Sequence, residues 1–327
     1  MMNIRQPKTV QSAARELLSR AGQKRQILLV YCGILLAANL LTTGLDLGLS
    51  TMMSRSGGLG NLGTRSLLST FQTLLPLANT LVLLVLDLGL LAAMLRISRE
   101  QFTSPQTLRT GLARFFPMLR LTLLQIPIYL ILGIAASYIG MVIYFVSPLF
   151  QSAVDYLTPL MTTGADAQQV LNALLADEAA LNGFLQTLIP MYVLVLVLYL
   201  AMMIPVSYRL CMAKLVILDD PRAGAFRAVA ESFKMTRRNC MALFKLDLSF
   251  WWYYLLTVLV SALSMAEVFL PMSEAMAWGS YAAALLLQAG VYYFFRPKLE
   301  VSRCLIYNAI RPKPQQNGVV LGNIFQM

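Results

Sequence analysis

Few residues in this chain are of types that do chemistry, and their spacing argues against most of it. There is no histidine, which removes the commonest general base and the commonest metal ligand together. The four cysteines, Cys32, Cys211, Cys240 and Cys304, form no CxxC pair and offer no zinc-ligand spacing. No Gly-x-Ser-x-Gly elbow or Walker-type loop occurs. Gly58-Leu59-Gly60-Asn61-Leu62-Gly63 fits the dinucleotide fingerprint letter for letter, but that fingerprint needs a strand before it and a crossover helix after it. Here it falls between two long apolar stretches, where a flexible linker is the better reading. No catalytic residue, metal or cofactor is expected.

One acid occupies an unusual position. Asp87 lies in the run Leu-Leu-Val-Leu-Asp-Leu-Gly-Leu-Leu, about 12 Å from the inner end of an apolar stretch if that stretch is helical. An acid at such a depth in a membrane costs ~3 kcal/mol, so it must face other helices or be protonated. Arg96 is on the opposite face of the same helix, and Arg120, Arg209 and Lys245 at the ends of other stretches are the cations expected to reach it. The functional reading is an ion, proton or polar-substrate contact; the structural one is a bond between helices. The structural reading carries more weight, because no second deep charge marks a pathway. Asp46 lies about 18 Å away in depth and makes no carboxylate pair with it. Asp46 and Asp247 are read as solvated at the ends of their stretches.

The elements that hold these residues are set by composition. Apolar residues make up 58% of the chain and charged residues only 13%, far from a soluble globular balance. Six stretches, near Ile27–Leu47, Leu74–Leu95, Leu121–Val146, Phe184–Ser207, Leu243–Leu263 and Trp278–Phe295, are long enough to cross a hydrocarbon core. Strands cannot replace helices there, since the apolar runs do not alternate and an open sheet would leave backbone groups unpaired in lipid. The expected fold is therefore all-α and polytopic, with six transmembrane helices. Trp251, Trp252, Tyr253 and Tyr254 read as interface anchors, and prolines at 127, 190 and 205 as kinks.

Charge sets the orientation. All but Arg55 and Arg65 of the 26 Lys and Arg residues fall in the N-terminal segment, between the second and third stretches, after the fourth, or in the tail. Basic residues are retained on the cytosolic side, so both termini are expected in the cytosol. The second outer loop shows the opposite bias, with Asp155, Asp166, Asp177 and Glu178 and no base. The positive charge thus suits anionic lipid headgroups and does not argue for nucleic acid. The cysteines fall in the first stretch or toward the reducing side, and the basic region before the first stretch is too long for a cleavable signal peptide.

The chain also divides into three similar units, about 1–95, 96–210 and 211–300, each an amphipathic cytosolic segment followed by a helical hairpin. Within one domain of residues 1–310, the three amphipathic stripes are Val10, Ala13, Ala14, Leu17, Leu18 and Ala21; then Leu108, Leu112, Phe115 and Leu119; then Phe226, Val229, Ala230 and Phe233. Ser104-Pro105 and Asp220-Pro221 read as helix N-caps followed by proline. Arg109, Arg114, Arg227, Lys234, Arg237 and Arg238 would reach lipid phosphates or a membrane-protein partner if the stripes lie on the bilayer. The stripes would equally fit onto the protein's own cytosolic ends. Ser50–Thr73 is read as a mobile outer loop, Ala165–Leu181 as a short acidic helix, and 311–327 as a disordered cytosolic tail.

The stretch from Tyr208 to Tyr254 carries a family resemblance. Leu218-Asp219-Asp220-Pro221, Ala230-Glu231-Ser232, Met235-Thr236-Arg237-Arg238-Asn239 and Leu243-Phe244-Lys245-Leu246-Asp247-Leu248-Ser249-Phe250-Trp251 resemble a bacterial membrane family catalogued as domain of unknown function 975. Arg238 stands where that pattern usually has glycine. Such proteins are also similar to the membrane domain that accompanies some glycerophosphodiester phosphodiesterases, which lacks the catalytic site. The resemblance implies a bacterial inner membrane and no established activity. Together these readings predict a non-enzymatic multi-pass protein binding anionic lipid or a membrane partner through its basic face. The alternative is a small-solute transporter or permease that uses Asp87.

Overall fold

Backbone N–H and C=O groups in an apolar run have no water to bond, so the chain satisfies them within helices. The computed structural model describes residues 6–55, 62–161, 178–220, 222–266 and 273–311, and no strand occurs among them. The helices are α1 (Pro7–Arg20), α2 (Lys24–Arg55), α3 (Leu62–Ile97), α4 (Thr110–Ala113, preceded by a 3-10 turn, Pro105–Arg109), α5 (Phe115–Val146), α6 (Pro148–Met161) and α7 (Glu178–Leu210). They continue as α8 (Ala213–Asp219), α9 (Ala225–Thr236), α10 (Cys240–Leu248), α11 (Trp251–Ser264), α12 (Glu274–Phe294) and α13 (Arg296–Ile310). Four segments are long and apolar enough to cross a membrane: Lys24–Met53, Ser66–Ile97, Phe115–Val146 and Leu185–Asp219. The pair α10 and α11, bent by 61°, makes a fifth if it is one span. The stretch expected as the sixth forms α12, which falls outside that group. Its Glu274, Ser280, Gln288 and tyrosines dilute the hydropathy.

The chain divides into two compact bodies, Leu119–Cys211 and the remainder. In the first of these, α5 and α7 approach at backbone distance. A Cβ on Gly140 would lie 2.6 Å from Val195 Cγ2 and 3.3 Å from its Cα, the small-residue contact that lets membrane helices pack closely. Tyr144 is buried there, and its hydroxyl donates to the Thr187 carbonyl at 3.1 Å, in the turn before Pro190. The helix α6, unforeseen from the sequence, packs on α7.

In the other body α2 packs between α3 and α12, and α12 lies against α11. The last helix, α13, is its best-buried element: Pro297, Leu299, Val301, Ser302, Cys304, Ile306 and Tyr307 are all inaccessible. It packs on α1, α3, α10 and α12. The repeat boundary read near residue 300 falls inside this helix.

Several local expectations change. Most of the mobile loop expected over Ser50–Thr73 is helical, since α2 runs to Arg55 and α3 starts at Leu62. The fingerprint glycines Gly58 and Gly60 lie outside the described residues, as do most of the acidic helix expected over Ala165–Leu181, Pro221 and the tail after Arg311. Asp220 is not the cap of the third amphipathic helix. Its carboxylate accepts the Arg222 N–H at 2.9 Å in a local turn, and Gly224 is the N-cap of α9. The fifth stretch is broken at Ser249-Phe250, where Gln11 of α1 donates to the Ser249 hydroxyl at 2.7 Å.

The three amphipathic stripes have three different fates. In α1, Val10, Ala14 and Leu18 are buried, and the helix packs on α13 and α10. The second stripe is not one helix: a 3-10 turn and the single turn α4 precede α5, so Leu108 is buried, Leu112 is exposed, and Phe115 and Leu119 are half-buried. In α9 the buried face is Ala225, Ala228, Ser232 and Thr236. The expected stripe therefore does not form its inner face, and Phe226 is 78% exposed.

Candidate functional site

The polar chemistry of the larger body converges on α13. Its arginines recur at Arg296, Arg303 and Arg311, close to a two-turn interval, so side chains leave the helix toward neighbouring elements at successive levels. Each meets a different aspartate.

At the first level Arg296 Nη2 lies 2.9 Å from Asp87 Oδ2. The Tyr31 hydroxyl donates to Asp87 Oδ1 at 2.8 Å and accepts from Arg296 Nη1. The guanidinium also lies over the rings of Tyr31 and Tyr292, at 5.4 and 4.9 Å, within the range of a cation–π contact. Both carboxylate oxygens of Asp87 therefore have donors. Its cation comes from Arg296, not from Arg120, Arg209 or Lys245. The Asp87 side chain remains 44% exposed.

At the second level Arg303 binds Asp247 through Nε at 3.2 Å and Nη2 at 2.8 Å. Nη2 also donates to the Tyr254 hydroxyl at 3.0 Å, and Glu300 lies 3.6 Å from Nη1. Asp247 is buried and paired, which overturns the expectation that it is solvated. Helix α10 stops one residue beyond it, and the break in the fifth stretch aims the carboxylate at α13.

At the third level Asp219 receives Arg99 in a fork: Nη1 to Oδ1 at 2.7 Å and Nη2 to Oδ2 at 2.9 Å. Tyr307 donates to Oδ2 at 3.0 Å, and Arg311 also pairs with it. Asn308 accepts from Arg99 Nε at 3.1 Å and donates to Ser98 at 2.9 Å. Burial pushes the Tyr307 hydroxyl well above its ordinary range, so it stays a donor. Burial likewise pushes the Cys304 thiol up.

The surface cations stand apart from these pairs. Arg227 is held by Glu231 at 2.8 Å and Asp220 at 3.6 Å. Lys234, Arg237 and Arg238 are exposed around the C-terminal end of α9, where positive charge complements the helix dipole. Arg114 is half-buried at the end of α4, whereas Arg109 is exposed at the end of the 3-10 turn. A cavity of about 260 Å³ beside Arg109 is otherwise lined by aliphatic side chains of α2, α3 and α4. A larger and more enclosed one of about 470 Å³ lies between the α1–α2 turn and the loop after α3. Among the described residues no three of His, Cys, Asp or Glu converge as metal ligands.

Tyr31, Arg99, Arg296 and Arg303 were not singled out from the sequence as site residues, and Asp219 entered only within the family motif. The available signal was the spacing of Arg296, Arg303 and Arg311 around a helical Leu299, Ser302 and Ile306 pattern beginning with Pro297.

An all-helical protein with four or five membrane-length apolar helices, whose larger body is tied by aspartate–arginine pairs on α13, is the class this fold defines. The chain belongs to the family described as protein of unknown function (DUF975), whose model matches residues 2–313. No curated protein and no solved structure matches the chain at a significant level.

Proposed function

We propose that this is a non-enzymatic multi-pass protein of a bacterial inner membrane that binds anionic lipid through a basic cytosolic face. In this reading six spans form three hairpin units, with both termini in the cytosol. Helix α12, at 21 residues, is about 32 Å long and thus of spanning length, and α10 with α11 makes one broken span.

The carrying observation is the inversion of α9. Its small residues face inward, while Phe226 and Ala230 face outward between Arg227, Lys234, Arg237 and Arg238. An outward apolar face rimmed by cations suits the headgroup region of a bilayer, where the ring is buried and the charges meet phosphate. A membrane-protein partner with an acidic surface would use the same face. Transport through Asp87 has less support, because Tyr31 and Arg296 already occupy both of its oxygens.

Native mass spectrometry of the full chain with phosphatidylglycerol and phosphatidylcholine tests the reading. Replacing Lys234, Arg237 and Arg238 by Gln should lower phosphatidylglycerol retention, by about fivefold for each cation. Undiminished preference for the anionic lipid in the triple variant would sink it.

A further inference from the structure

Two glycines fix the segment before α5 against α3. A Cβ on Gly89 would collide with the Leu108 backbone, and one on Gly111 with the Val85 carbonyl. The 3-10 turn and α4 therefore lie backbone to backbone on α3 at the level of Val85 to Gly89, about 12–18 Å along the helix from its end at Ile97. Within the spanning region this contact carries Arg109 to the height of a groove formed by Ile34, Val82, Val85, Leu86 and Leu112. The groove lies on the α2–α3 hairpin, with Val82 48% exposed. Arg109 itself is exposed, and among the described residues no acid pairs with it.

We infer that this groove is a binding site for one anionic phospholipid, with an acyl chain along the aliphatic wall and the phosphate met by the long Arg109 side chain extending toward the headgroup level. This deepens the proposed lipid binding and rests on it, but it uses a different site from α9. The charge is complementary: Arg109 has no counter-ion among the described residues and lies beside an aliphatic surface, a pairing that suits an anion attached to a hydrocarbon. Its volume of about 260 Å³ is below the 300–1,000 Å³ of pockets that enclose whole small ligands. It therefore seats part of a chain whose remainder lies in the bilayer. A free anion would satisfy Arg109 and leave the apolar wall unused.

The test is native mass spectrometry of the full chain in detergent, titrated with dioleoylphosphatidylglycerol or dioleoylphosphatidylcholine. Arg109→Gln removes the headgroup contact, and Val82→Trp fills the groove from its exposed side. Each should weaken one phosphatidylglycerol site by about fivefold or more, and millimolar inorganic phosphate should not displace the lipid. If Val82→Trp retains lipid as the wild type does, the acyl chain does not use the groove, and if phosphate displaces the lipid, Arg109 holds a free anion; either result overturns the inference. If both variants keep wild-type retention while the α9 triple variant loses it, the groove is wrong and the broader reading stands. If all three keep it, both fall. Leu112→Trp fills the same groove should Val82→Trp fail to elute as a folded species.

Discussion

Asp219 is the residue on which most charge depends. Its side chain is 8% exposed and faces two arginines and a tyrosine hydroxyl. A bidentate guanidinium–carboxylate pair is stronger than a neutral hydrogen bond, yet its formation costs desolvation on both sides. Removing one member is the severe change, because it leaves the others buried and uncompensated. Asp219→Asn leaves Arg99 and Arg311 facing each other, and should destabilise the protein by ~3 kcal/mol. Thermal unfolding in detergent measures this, and an unchanged Tm would show that water already screens the arginines. Asp87→Asn should cost less, since that side chain is half exposed and a single arginine loses its counter-ion, where at Asp219 two do. The sequence identified Asp87 because an acid in an apolar run stands out. It concealed Arg296, because a basic residue just after a hydrophobic stretch looks like an ordinary cytosolic flank. Asp219 and Asp247 were concealed similarly: each sits where a charge is cheap in water, and only the arrival of α13 removes that water.

Helix α13 shows why elements were less legible than residues. The long apolar helices were readable because continuous hydropathy over about 20 residues leaves few alternatives. In Arg296–Ile310 the apolar positions are interspersed with Arg, Lys, Glu and Ser, so composition suggests a solvated tail. Its burial comes from the four helices around it. The α9 stripe failed for a related reason: periodicity identifies two faces, and it does not say which faces the protein. Cys304 reports directly on α13. It is fully buried, its thiol is raised by burial, and reactivity follows the thiolate. In the folded protein an alkylating reagent should modify the half-buried Cys240 well before Cys304. Asp247→Asn, which leaves Arg303 only Glu300 and the Tyr254 hydroxyl, should make Cys304 reactive at native temperature, as read by mass spectrometry of the labelled peptides. Continued protection would mean that packing alone holds the helix.

For the whole molecule, the contact between α1 and α13 constrains the crossings. These are the first and last described helices, and they pack on each other, so they lie at the same end of the body they share. An even number of crossings follows. Four belong to the long apolar helices if each of them crosses, as length and composition allow. The bent pair α10–α11 and α12 must then both cross or both fail to cross. A bent pair that re-enters while α12 crosses alone would place α13 on the opposite side from α1. The basic residues on α1 and α13 favour the cytosol for that shared end, so six crossings put Met265, between α11 and α12, on the outer face. Met265 is 59% exposed, and Met265→Cys in a background without the native cysteines makes it addressable. A membrane-impermeant maleimide should label it in intact cells, and fusion reporters at both termini should read as cytosolic. Labelling only after permeabilisation, with both reporters still cytosolic, would instead mean that neither α12 nor the bent pair crosses. The sixth apolar stretch would then be a cytosolic support for α13.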